Sequence, residues 1–130
     1  MTTTTGAIYG KRNEKQVARV AKATYDFDTH GGATGDDLGL GVVIPKGAII
    51  TRVIGSVNIA FDSGGSATVA INIGDTEVNA ATAYDHADYT GVDEHFTTLT
   101  KLSADSVVNL DIAVAALTAG NYDIFVEYLY

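Results

Sequence analysis

Residues 49–73 read IITRVIGSVNIAFDSGGSATVAINI, and how this stretch is read decides the fold. Ile49, Thr51, Val53, Gly55, Val57, Ile59 and Phe61 alternate with more polar positions, and Ala67, Val69, Ile71 and Ile73 resume the same period of two. A period of two puts alternate side chains on opposite faces of an extended chain, so each half is predicted to be a strand with one buried face. Asp62-Ser63-Gly64-Gly65-Ser66 between them is turn chemistry, and the pair is predicted to form a hairpin.

The same pattern extends outward in both directions. Ala21, Ala23, Tyr25 and Phe27 share one face of a predicted strand over 16–27. HGGATGDD, residues 30–37, reads as a loop. Leu38, Leu40 and Val42 alternate with glycine and predict a short strand, which Pro45-Lys46-Gly47 ends in a turn. His95 to Leu102 is a further predicted strand. Val108, Leu110, Ile112 and Val114 form one face of a second predicted hairpin, with Leu117 to Asn121 as its turn and Tyr122, Ile124, Val126, Tyr128 and Tyr130 on the returning strand. That strand runs to the last residue, so this end of the chain is predicted to be locked into a sheet. Glu77 to His86 (EVNAATAYDH) is alanine-rich and is predicted to be a helical connector of one or two turns. Seven or eight short strands separated by regular turns predict an all-β, single antiparallel β-sandwich over 16–130, with a small barrel as the alternative. Residues 1–15, Thr-rich and nearly free of apolar side chains, predict a flexible N-terminal arm.

Composition narrows the function classes. At 130 residues the chain has room for one core. It lacks cysteine, so disulfides and thiolate metal sites are excluded. No apolar run is long enough for a membrane-spanning helix, and MTTTTGAIYGKRNEK carries no apolar segment of signal-peptide type. The simplest setting is a bacterial cytoplasm or a particle assembled there. Lys11, Arg12, Lys15, Arg19 and Lys22 face only Glu14 in the first 22 residues, whereas the rest of the chain holds three basic and fifteen acidic residues. An acidic body of this kind repels nucleic acid and anionic membrane. The basic arm, through Lys11, Arg12 and Lys15, is the predicted partner-binding segment, and an acidic surface, a neighbouring copy's included, is its natural counterpart.

Catalytic and metal patterns are sparse. His30, His86 and His95 show no HExxH or HxH spacing, no serine sits in GxSxG, and neither a phosphate loop nor a dinucleotide fingerprint occurs. Asp26, Asp28, His30, Gly31 and Asp37 fall at positions 1, 3, 5, 6 and 12 of a calcium-loop outline. The bidentate Glu is missing and a strand, not a helix, precedes the segment. Asp85, Asp88, Asp93 and Glu94 form a second acidic stretch, readable as a hard-cation site or a solvated loop. No catalytic residue, metal ligand or cofactor is assigned, and the chain is expected not to be an enzyme. Among the seven tyrosines, Tyr128 and Tyr130 are candidates for a subunit interface, where tyrosine is enriched.

Three stretches carry a resemblance: LGLGVVIPKGAIITRVIGSVNIAFDSGGSATVAINIG (38–74), VNAATAYDHAD (78–88) and VVNLDIAVAALTAGNYDIFVEYLY (107–130). In order and content they resemble virion structural proteins of tailed bacteriophages, of the capsid decoration (cement) or head-fibre type. The resemblance implies a jelly-roll-like sandwich, often a homotrimer, attached to the major capsid protein on the capsid exterior. It transfers no catalytic residue. The competing expectation is a carbohydrate-binding adhesion module of a head or tail fibre, with Tyr84 and Tyr89 as exposed stacking platforms.

Overall fold

The computed structural model describes residues 18–90, 94–96 and 99–130. Nine strands and two one-turn helices follow in the order β1 (Ala18–Asp26), α1 (Phe27–His30), β2 (Gly35–Ile44), β3 (Ile49–Ser63), β4 (Thr68–Ile73), β5 (Thr76–Ala83), α2 (Ala87–Thr90), β6 (Glu94–Phe96), β7 (Thr100–Lys101), β8 (Ser106–Ala113) and β9 (Leu117–Leu129). They build two antiparallel sheets. One runs β1-β9-β3-β6, with β7 also pairing with β3; the other runs β2-β8-β4-β5. Successive strands change sheet at every connection except β4–β5 and β6–β7, which is a jelly-roll-like winding. The fold predicted from alternation is present as an all-β sandwich.

The connections differ from expectation in an informative way. Neither predicted hairpin is one. β3 and β4 lie in opposite sheets, as do β8 and β9. Each turn is an arch that carries the chain across the core. The second arch sits at Val114–Ala116, not at Leu117–Asn121, which is strand. It turns on Val114 at φ 71, with Ala115 N donating to Ala113 O at 2.8 Å. The two arches are tied together where Ser63 Oγ donates to Ala116 O at 2.7 Å. The hairpin that does form is β4–β5, closed by Gly74-Asp75 with Ile73 opposite Thr76. Its second strand occupies most of the segment expected to be helical. Alanine propensity lost there to pairing with a buried strand. β2 begins at Gly35, within the expected loop 30–37, and the strand expected over 95–102 is split into β6 and β7. Ala48 N donates to Pro45 O at 3.1 Å, so Lys46 and Gly47 are the central residues of that turn, with Gly47 at φ 88.

The core has two halves. Tyr25, Phe61, Tyr89 and Tyr122 interlock at the arch end, with centroids 5.1 to 5.5 Å apart in tilted and edge-on contacts. Tyr89 hangs from α2, and its hydroxyl donates to Val69 O at 3.0 Å and accepts from Asn79 Nδ2 at 2.9 Å. Burial pushes its phenol well above the ordinary range, and the charge of Asp88 adds to this against the Asn79 bond. Tyr25 is pushed up to about 12, by burial and then by Asp26. Toward the other end the core is aliphatic: Ile44, Ile50, Ile73, Val108 and Val126 are fully buried. Each is worth roughly 1.5–3 kcal/mol of transfer free energy.

Candidate docking surface

Register places the connections at two opposite ends. Ala18 lies across from Leu129, Leu129 from Ile49, and Ile49 from Lys101. The 45–48 turn, the Gly74-Asp75 turn and the 102–105 segment close the same end. The aromatic half of the core, both arches, α1 and α2 occupy the opposite end.

Apolar exposure is unevenly divided between these ends. Nine large apolar side chains are substantially exposed among the described residues. Seven of them, Val20, Val43, Ile49, Leu99, Val107, Leu129 and Tyr130, belong to the end where β1 starts and β9 finishes; only Ile59 and Val114 lie toward the arches. Val43 and Val107 are cross-strand partners on the four-stranded sheet, and Ile49 and Leu129 are partners on the other. Leu99 is 75% exposed and Tyr130 55%. Exposed apolar side chains gathered at one end in this way, on the outer faces of both sheets, suggest an adhesive end.

Around the corner is a polar groove of about 630 Å³, lined among others by Asp37, Asp75, Lys101, Ser103, Asp105 and Asn109. Asn109 points away from the core, out of phase with the buried Val108 and Leu110. The outer face of the five-stranded sheet carries a further polar cluster. Asp123 is 8% exposed and accepts from Thr24 Oγ1 at 2.6 Å and Asn58 Nδ2 at 2.9 Å, with Lys22 Nζ at 3.7 Å. Burial alone would raise its pKa. The hydrogen bonds from Thr24 and Asn58 and the Lys22 charge outweigh burial and hold it below the usual carboxylate range. A depressed pKa means stability that is complete above the unfolded carboxylate's pKa of about 3.9 and is lost as pH falls through the folded value. Melting temperature is therefore expected to fall as pH drops below about 4. In Asp123→Asn that acid-limb loss should be shallower, and parallel acid limbs would remove Asp123 from the account.

The predicted site residues are distributed as follows. Lys11, Arg12 and Lys15 lie outside the described residues. Tyr128 is half-buried against the core and sits across from Ile50, whereas Tyr130 is exposed at the apolar end. The calcium outline does not converge. Asp26 caps α1 through Asp28 N at 3.1 Å, while Asp37 stands on β2 with its N–H on Asp111 Oδ1 at 2.7 Å. Among the described residues no three His, Asp or Glu side chains are placed to hold a metal ion. Asp93 and the side chain of Glu94 are outside the described set. Tyr89 is fully buried and Tyr84 half-buried against the core, so the expected pair of stacking platforms does not exist. Sequence reasoning missed Ile49, Leu129, Val43 and Val107 as surface residues.

Fold and surface together define a jelly-roll β-sandwich with one apolar, groove-bearing end. No protein family and no curated protein matches the chain. Solved structures do share the fold. One is a chain of the acid-stable capsid structure of Helicobacter pylori bacteriophage KHP30, with TM-score 0.64 and 18% identity over 88% of each chain. Another is from the capsid asymmetric unit of cyanophage Pam1, with TM-score 0.63 and 22% identity over 88% of this chain and 85% of that one. At these identities the likeness is one of fold.

Proposed function

We propose that this chain is a structural protein of a phage virion, a capsid decoration protein that docks on the major capsid protein lattice from outside and stabilises the shell by binding, without catalysis. The observation that carries this reading is the concentration of exposed apolar side chains at one end of the sandwich. A protein that caps a lattice needs one adhesive end and an inert remainder. The acidic body, with its net charge of −8 over the whole chain, keeps decorated particles apart in solution. The two capsid structures with the same fold support the virion setting. Many identical contacts on a symmetric shell act together, so each one need only be weak. A homotrimer fits the same reading, with Tyr130 and its apolar neighbours divided between self-contact and lattice contact.

The test compares shells assembled from the major capsid protein with and without this chain. The protein is expected to co-sediment with shells and to raise their heat-disruption temperature. Shells that withstand heating equally well in its absence, or that leave it in the supernatant, would overturn the proposal.

A further inference from the structure

The two sheets have four edges among the described residues, and the edges are not alike. β2 and β5 each break register twice against their neighbours, and β6 and β7, which share an edge, are three and two residues long. Bulges and short length are ordinary devices that keep a sheet edge from pairing with another chain. β1 has neither. Its nine residues pair one for one with β9, from Ala18 opposite Leu129 to Asp26 opposite Asn121, without a shift. On the side away from β9, Arg19 to Tyr25 make no backbone hydrogen bond to any described residue. Such an edge presents a row of unpaired N–H and C=O groups, a template for one more strand.

Charge decides which strand fits. β1 is basic toward its start, at Arg19 and Lys22, and acidic at its end, at Asp26. An antiparallel copy of the same strand meets it with the charges reversed. Keeping both buried faces on one side of a joined sheet puts one residue of β1 on the two-fold axis. Lys22 on the axis would oppose two like charges. Ala23 on the axis would set Val20 across from a carboxylate. Thr24 on the axis sets Lys22 opposite Asp26 of the partner subunit, twice, and Thr24 opposite its own copy, both favourable cross-strand pairs. Lys22, Thr24 and Asp26 share the outer face, where Lys22 and Thr24 also meet Asp123. The Lys22 side chain is 56% exposed and keeps donors to spare. Each Asp26 carboxylate oxygen accepts one bond in the α1 cap, from Asp28 N at 3.1 Å and Thr29 Oγ1 at 3.3 Å, and retains acceptor capacity.

We propose that β1 is a docking edge for a second copy of this chain, whose β1 adds antiparallel across a two-fold axis at Thr24 and joins the two five-stranded sheets into one. The contact needs only two copies and holds whether or not the chain decorates a shell. It makes no use of Leu99 or Tyr130, so the apolar end keeps its own partner.

The chain has no cysteine, so single introduced thiols read the geometry. Thr24→Cys is expected to give a disulfide-linked dimer under mild oxidation, because a residue on the axis faces its own copy with Cβ atoms about 5 Å apart. Ala83→Cys, exposed on the bulged β5 edge, should link about tenfold more slowly. In Lys22→Gln/Thr24→Cys linking should slow about fivefold, the scale of two exposed ion pairs. Equal rates for Thr24→Cys and Ala83→Cys would overturn the proposal, and so would a rate unaltered by the loss of Lys22. Hydrogen exchange on the wild-type chain needs no substitution. Amide protection in β1 should rise with protein concentration while that in β5 stays constant. Constant β1 protection at every concentration would equally overturn the proposal; if sedimentation then shows association, the copies meet through another surface.

Discussion

Gly55→Ala is expected to destabilise the protein by about 3 kcal/mol, the upper end of the ordinary cost of overpacking, because the position has no room for a methyl group. Gly55 sits in the middle of β3, flanked by Ile124 of β9 and Glu94 of β6. A Cβ there would overlap the hydroxyl and ring edge of Tyr122. The ring cannot withdraw. It is fully buried, with Phe61 and Tyr89 each 5.5 Å away, and Tyr89 is itself held by Val69 and Asn79. One methyl group thus displaces an interlocked aromatic set. Against a total stability of roughly 5–15 kcal/mol, this is a large share. Melting temperature should drop by about 10 °C for a domain of this size. The second half of the test is Gly55→Ala/Tyr122→Phe, which removes the atom nearest the new methyl group. The double variant should be less destabilised than the sum of its singles. A Gly55→Ala protein that melts within 2 °C of wild type would mean that Tyr122 has space the packing denies it.

Gly55 also shows what kind of information the sequence holds. A glycine inside an alternating run signals close approach of another group, and here it marks the Tyr122 contact. Strand positions were legible because burial on one face imposes a period of two. Strand partners were not, because the period is identical whether the next strand pairs in the same sheet or arches into the opposite one. Residues 62–66 gave turn chemistry without saying which. β5 was misread for a related reason. Its alanines favour a helix in isolation, and only the pairing with β4 overrides that preference. Part of the docking surface was readable in principle. Ile49-Ile50, Val42-Val43 and Val107-Val108 are doubled apolar residues within strands of period two, so one member of each pair must face outward unless a bulge intervenes. Ile49, Val43 and Val107 are those members. The bulges of β3 beyond Val57 similarly put Ile59 outside, where strict alternation placed it in the core. The groove had no such signal. Asp37, Asp75 and the pair Asp105 and Asn109 come from three distant segments and meet only because the winding brings those segments to one end.

Placing one carboxylate at each of two positions in the exposed apolar set, Leu99→Glu/Tyr130→Glu, is expected to weaken binding to shells of the major capsid protein by about a hundredfold while leaving the fold intact. Both side chains are mostly exposed, so the substitutions should change stability by no more than ~0.5 kcal/mol. In a docked state the same positions would be covered, and each carboxylate would have to shed its hydration without a partner. A covered interface side chain typically costs more than about 1 kcal/mol to lose, and two losses of about 1.4 kcal/mol each reach the hundredfold scale. The comparison variant is Ile59→Glu, which adds the same charge at an apolar residue 58% exposed outside the apolar end. It should bind shells as wild type does. Co-sedimentation at several protein concentrations gives the affinity, and calorimetry on the free protein checks that neither variant has lost its fold. If Ile59→Glu is the variant that loses binding, the adhesive surface is at the wrong end, and the apolar asymmetry needs another explanation. If both variants bind normally, contact is made by the polar outer face around Asp123, where charge and hydrogen bonding would replace apolar burial as the source of affinity.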